Sequence, residues 1–412
     1  MEIYLARIFT RICVLINLKE VTMNRRSILL TLMVLFTAVA FGVMMTSCAK
    51  PPRKPEAALD TPEHHVFSGN KLLDKGDYAG AQREFELAVQ LDKKYSPAYV
   101  GMGLVFGYQS NFEKAFENMK KAKGLAEKPD DKVTANVGMI RLYSMERKEK
   151  WLDKAEDEFN DAIKVNPKSS AAYFYMGKAY KFAFNFDKSG EMFKKVLDLN
   201  DKYLIEADSE WKVVQKIQRA APGSMIGKKI ALIEEITRAD VAALFVQELL
   251  LEKLYQKRTP RQFDTSYQAP TKKFEADKIV KAEAATDIQN HVLRTDIETV
   301  MRLGVRGLEP SPDHKFFPNE KINRAAYAMM IEDILIKVSG DEKLATKFIG
   351  SKSPFPDLRN DLPYFNAVMV MTSRGIMEAK DLTTGEFAPM GTVSGADALL
   401  VIRKLKDELR FF

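Results

Sequence analysis

Between residues 66 and 203, apolar and small residues return at a fixed step. Gly69, Ala81, Phe85 and Ala88 are followed 34 residues on by Gly103, Ala115, Met119 and Ala122, and Tyr78 maps onto Phe112. Leu152, Ala155, Phe159 and Ala162 map by the same step onto Phe186, Ser189, Phe193 and Val196. From Ala115 to Ala155 the step is 40, which places six extra residues near 144–149. The pattern predicts four units of two antiparallel helices, with the third distorted in its first helix. One hairpin cannot bury its apolar face alone, whereas stacked hairpins can. Small residues at Gly69 and Ala81 let helices approach closely. Phe85 and Phe159 are expected to pack onto the next unit. The aromatic run 173–184 falls on repeat core positions and reads as helix packing rather than a contact surface.

A second periodicity follows. "EEITRADVAALF" (234–245) has weaker copies at "EKINRAAYAMMI" (320–331) and "GTVSGADALLVI" (391–402). Gly304, Phe316, Pro318, Ile322 and Ala325 recur 71 residues later as Gly375, Phe387, Pro389, Val393 and Ala396, and Asp287 recurs as Asp357. Each of these two copies reads as a helix, a loop ending Phe-x-Pro, and a second helix capped by Asn323 or Ser394. The first copy has the Thr237 cap but no Phe-x-Pro upstream, so residues 204–257 read as a degenerate copy fused to the end of the stack.

The first pattern resembles tetratricopeptide repeats, and the second resembles the S-layer homology module. The fold these resemblances imply is all-α: a superhelix of hairpins over 66–203, then a three-part helical domain. Its parts are 204–257, 284–340 and 354–408, with a linker at 258–283. In the second family, three modules pack in pseudo-threefold fashion, and grooves between them bind cell-wall glycans, often acidic. By that resemblance Thr237, Arg238, Asp240, Asn323 and Arg324 are glycan-binding residues. A guanidinium suits a carboxylate because its paired donors meet both oxygens. The alternative use of Arg238 and Arg324 is a salt bridge that locks one copy to the next. Gly395 stands where the third copy's arginine would be, which puts that groove in doubt.

The N-terminus changes the compartment. "MNRRSILLTLMVLFTAVAFGVMMTSCAK" (23–50) sets two arginines before a long charge-free run and small residues before Cys48. This is the order of a secretory signal, with Met23 as the natural start and residues 1–47 removed. "MTSC" is similar to the bacterial lipobox, which implies that Cys48 is lipidated; an uncleaved membrane anchor is the alternative. Residues 48–65, rich in proline and charge, read as an extended tether, and the His64–His65 pair in it as solvated. The expected place is the cell envelope, lipid-anchored to a bacterial membrane, at the periplasmic face of an outer membrane where there is one.

Charge and cysteine narrow the chemistry. The chain carries 63 Lys+Arg against 56 Asp+Glu, a net charge of +7. Five of the cations and two of the anions lie in residues 1–47, leaving 58 against 54. No basic stripe accompanies that surplus, so nucleic acid is not an expected partner. Cys13 and Cys48 are the only cysteines, and neither leaves a thiol in the exported part for a disulfide, a metal or a nucleophile. No metal spacing, phosphate loop or nucleophile elbow is present. His291 is expected in the first helix of the second copy and His314 in a loop. The expected protein is therefore non-enzymatic and without a cofactor. It binds an envelope polysaccharide through the C-terminal modules and an unknown protein in the repeat groove. The rival expectation is an assembly factor for envelope proteins, in which those modules are only structural.

Overall fold

The computed structural model describes residues 53–258 and 285–410. Met23, Cys48 and most of the expected linker lie outside the described residues. Among the described residues every regular element is helical, and the extended contacts are two isolated bridges. Helices α1 (Pro62–Asp74) and α2 (Tyr78–Leu91) form the first hairpin. It is followed by α3 (Ser96–Tyr108) with α4 (Phe112–Leu125). Next come α5 (Pro129–Glu146) with α6 (Trp151–Val165), then α7 (Ser170–Phe182) with α8 (Phe186–Leu199). The stack has the succession of hairpins of a tetratricopeptide superhelix.

Local chemistry explains where the chain turns. Asp77, Asn111 and Asn185 cap the second helices of three hairpins, accepting from the amides of Gly80, Lys114 and Lys188. The fixed step has a packing cause. Phe85 is fully buried, and a Cβ added at Gly69 or Gly101 would stand 2.6 or 2.3 Å from its ring. One aromatic ring is thus wedged between the first helices of two successive hairpins, and both must offer bare backbone there. Met119 plays the same part between α3 and α5. The extra residues near 144–149 lengthen α5 to 18 residues against 13 in α3 and α7. They end in a loop whose Arg147 and Lys150 are both left-handed.

Helix α9 (Leu204–Ala220) packs on α8 and against the last helix of the chain. After it come α10 (Met225–Ile230) and α11 (Arg238–Ala243), which runs into a π turn, Leu244–Glu248. The remaining α-helices of the described residues are α12 (Leu251–Arg258), α13 (Arg294–Arg302), α14 (Arg324–Ser339), α15 (Phe365–Ser373) and α16 (Gly395–Leu409), with a 3-10 turn, Glu342–Thr346, between α14 and α15. The hydrophobic core does not break at 203–204: one buried cluster runs from Phe174 in α7 to Leu409 in α16. The last hairpin and the C-terminal part therefore share an interior.

The recurring phrase closes a ring. Ile236 N–H donates to Val393 O at 2.9 Å, Val393 N–H to Ile322 O at 3.2 Å, and Ile322 N–H to Ile236 O at 3.1 Å. Each of the three copies gives one amide and accepts at one carbonyl. Immediately after that residue, Thr237, Asn323 and Ser394 cap α11, α14 and α16 by accepting from the amides of Asp240, Ala326 and Asp397. The phrase occurs three times because three copies close one ring.

Three expectations are corrected. The described part of the tether is folded: Arg53 N–H donates to Gln90 O at 2.8 Å, and α1 already begins at Pro62. His65 is not a solvated side chain. Its Nε2 lies 2.9 Å from Asp60 and its Nδ1 2.8 Å from Glu84. The hydrogen bond from His65, with the Glu56 amide and Arg53, holds the Asp60 carboxyl well below the usual carboxylate range. His291 precedes its helix, since α13 starts at Arg294, and its Nδ1 accepts from Leu293 N–H.

Candidate functional site

Each arginine of the phrase is built into a seam between neighbouring copies. Asp287 accepts from Phe316 N–H at 2.8 Å and Phe317 N–H at 2.7 Å, fixing the Phe-x-Pro loop of the second copy. Asp357 does the same for the third, accepting from Phe387 and Ala388 N–H. The middle residues of the two loops, Phe317 and Ala388, are left-handed. A carboxylate holding two successive amides stabilises that turn. The sequence shows these aspartates as a recurrence but not their role.

Against these loops the arginines dock alike. Arg238 donates Nε–H to Phe316 O at 2.8 Å, Nη1–H to Gly307 O at 2.7 Å and Nη2–H to Glu309 O at 3.1 Å, with its guanidinium over the Phe316 ring. Arg324 donates Nε–H to Phe387 O at 2.7 Å and Nη2–H to Glu378 O at 2.6 Å, over the Phe387 ring. Gly307 and Phe316 correspond to Glu378 and Phe387 at the 71-residue step. Burial pulls both guanidinium pKa values down, against neighbouring carboxylates that raise them. The forks therefore meet main-chain carbonyls and join copy to copy, close to the alternative use expected of them. Thr237 and Asp240 are engaged with each other: Asp240 Oδ2 accepts from both the amide and the hydroxyl of Thr237.

The five residues expected at a glycan site are thus distributed over two seams. The seam between the first and second copies keeps an open groove of about 430 Å³, walled by Arg238, Arg306, Glu309, Lys321 and Asn323 over a floor of Ile322, Met329 and Met330. Arg238 has used three of its five N–H donors, so two remain on its Nη atoms. Arg306 and Lys321 were not found from the sequence: Arg306 lies outside the recurring phrase, and the position of Lys321 within it is Glu235 in the first copy and Thr392 in the third.

The third seam is filled. Where the other copies have a Phe-x-Pro loop, the first has α10 and the turn behind it, and Gly395 N–H donates to Ile233 O at 2.8 Å. A Cβ at Gly395 would stand 1.7 Å from Ile230 O. Glu248, buried in the π turn, accepts from the Gly223 and Ser224 amides and the Ser224 hydroxyl, and so holds α10 in place. The missing third arginine has a steric cause.

The hairpin stack carries a seam of its own. Tyr78 stacks on Tyr108, whose hydroxyl accepts from Arg141; the Arg141 guanidinium lies 4.5 Å from the centre of the Tyr175 ring, which meets Tyr203 edge-on. These contacts run from the first hairpin to the start of α9. Phe174 and Tyr180 from the aromatic run are buried. Among the described residues no group of three or more His, Cys, Asp or Glu is placed to hold a metal ion, and no helix is long and apolar enough to cross a membrane.

No protein-family model matches the chain. Tetratricopeptide repeat protein 6 of Homo sapiens is 28% identical over 142 residues, which is 34% of this chain and 26% of that protein. Tetratricopeptide repeat protein 12 of Homo sapiens is 27% identical over 208 residues, 47% of this chain and 28% of that protein. The chain thus spans little more than a quarter of the curated relatives it matches. A thermophilic TPR protein of Thermus thermophilus aligns in structure with 45% of this chain and 91% of its own, at 19% identity and a TM-score of 0.33.

Proposed function

We propose that this protein is a non-enzymatic binding scaffold of a bacterial cell envelope. Its hairpin stack takes a protein partner, and the ring takes an envelope glycan with an acidic substituent. The export signal and lipobox-like cysteine read at 23–50 would tether it to a membrane. The likeness to tetratricopeptide-repeat proteins supports the protein partner, since stacked hairpins form extended concave binding surfaces. The observation that carries the glycan half is the open groove at the Arg238 seam. Its apolar floor suits a sugar face, while Arg306, Lys321 and the spare Arg238 donors suit a carboxylate. A second reading, in which the ring only braces the stack, is favoured by the arginine forks being given to carbonyls.

Co-sedimentation with the host's purified cell-wall sacculi, accessory polymers intact, separates the two. The chain from residue 49 onward would be run beside an Arg306→Glu, Lys321→Glu double variant. Neither side chain bonds to a Phe-x-Pro loop, but Lys321 donates to Glu235 O of the first copy at 3.0 Å, so the variant's circular dichroism and melting are compared with the wild type first. The glycan reading expects the wild type to pellet and the variant to bind on the order of tenfold more weakly. A wild type that stays in solution leaves the ring as a brace.

A further inference from the structure

One position of the hairpin unit falls in the first helix of all four hairpins. It holds His65, Tyr99, Asn136 and Tyr173, at steps of 34, 37 and 37 residues. The last three each follow a fully buried alanine, Ala98, Ala135 or Ala172, which fixes the register. In three units the side chain is a ring whose polar atoms are engaged. His65 meets Asp60 and Glu84. The hydroxyl of Tyr99 donates to Lys93 O at 3.0 Å, and that of Tyr173 to Pro167 O at 3.2 Å. Asn136 is the exception. It is only 6% exposed, and its side-chain amide has no hydrogen-bond partner among the described residues. It lines a cavity of about 360 Å³ between the ends of α4 and α6 and the start of α5. The seam from Tyr78 to Tyr203 contributes nothing to that lining. Its Arg141 stands five residues further along α5, about 140° away around the helix.

We propose that this cavity takes a tyrosine side chain that a partner protein presents next to a carboxylate. The proposal deepens the reading of the stack as a protein-binding scaffold and rests on it. In the second and fourth units the chain supplies this tyrosine itself; in the third the shorter asparagine leaves room for one from outside. The buried amide offers a carbonyl oxygen to accept from a phenol hydroxyl and N–H groups to donate to it. Such a group is destabilising while it has no partner, so an incoming hydroxyl gains from meeting it. Ala126, Ala135 and Val165 give a ring apolar walls. Charge narrows what flanks the ring. Of the lysines lining the cavity, Lys123 is held by Glu158 at 2.6 Å and Lys164 by Asp161 at 3.1 Å. Lys132 is exposed and has no ion-pair partner among the described residues, which leaves one ammonium for a carboxylate of the partner.

Saturation-transfer NMR of the chain from residue 49 onward with the blocked peptide acetyl-Asp-Tyr-Asp-amide tests this. The expected result is saturable binding through the tyrosine ring, lost when alanine replaces that tyrosine. Asn136→Tyr copies the neighbouring units and fills the cavity from within. It should bind the peptide at least tenfold more weakly, with a melting midpoint no lower than the wild type's. Asn136→Leu keeps the size, removes the amide and should weaken binding severalfold. Lys132→Ala should weaken it about twofold to fivefold, whereas Lys195→Ala, on α8 and outside the cavity, should leave the Kd alone. No saturable binding by the wild type, or equal binding of the alanine peptide, overturns the proposal. So does an unaltered Kd in both Asn136 variants, which would place the peptide elsewhere on the stack. The wider reading of the stack falls separately, if the immobilised chain retains no protein from an extract of the host envelope.

Discussion

Gly395→Ala should lower the thermal midpoint of the chain by roughly 6–12 °C, the shift that a loss of about 3 kcal/mol gives in a unit of about 150–250 residues. The added methyl would stand 1.7 Å from Ile230 O, 2.6 Å from Ile230 C and 3.2 Å from Ala231 Cα. All three are backbone atoms, so no side chain can swing aside to make room. Either α10 moves off the ring or α16 does, and both are tied down. Glu248 holds the turn before α10, while Lys216 bonds Asp397 in the first turn of α16. Gly395→Arg, which restores the residue found in the other two copies, should be worse still because the side chain has no Phe-x-Pro loop to dock on. Calorimetric melting checks both; an unchanged midpoint would mean the third seam is not closed as described.

Arg324→Met should cost about 3 kcal/mol in chemical denaturation with the slope unchanged, since two carbonyls each lose a donor at about 1–3 kcal/mol apiece. Arg324 is only 6% exposed, so water cannot replace the bonds to Phe387 O and Glu378 O without opening the seam. Methionine keeps most of the volume, which separates the lost donors from a cavity effect. Some of the loss is offset because a buried guanidinium no longer has to be desolvated. Arg324→Lys should recover less than half of it, because an ammonium is a single point of donation and the two carbonyls need a planar fork. Arg238→Met should cost less, as its third acceptor, Glu309 O, is exposed. If Arg324→Met were neutral in stability, the arginine would be free for a ligand and not a joint.

The hairpins were legible because their cause is local and repeats. Gly69, Gly101 and Phe85 form one wedge, and the 34-residue step reproduces it down the stack. The capping residues Thr237, Asn323 and Ser394 were legible for the same reason: each acts within one helical turn. The use of Arg238 and Arg324 was not. The carbonyls they meet lie between 54 and 78 residues away in the chain, and the phrase alone does not distinguish a ligand from a backbone oxygen. The glycine at 395 was visible as a departure from the pattern, but its cause, Ile230, comes from the part of the first copy that departs most. Lys216 and Asp397 are 181 residues apart and share no motif. His65 was misread because Glu84, its partner on α2, is 19 residues on.

Hydrogen exchange across the whole chain, comparing wild type with Gly395→Ala, is the most direct test that the stack's last hairpin and the ring form one body. Their shared core predicts that amides of α8, α9 and α16 have similar protection in the wild type and lose it together in the variant. If α11–α16 exchange faster while α8 and α9 stay fully protected, the ring is a separate unit that merely follows the stack, and the continuity of the two is contradicted.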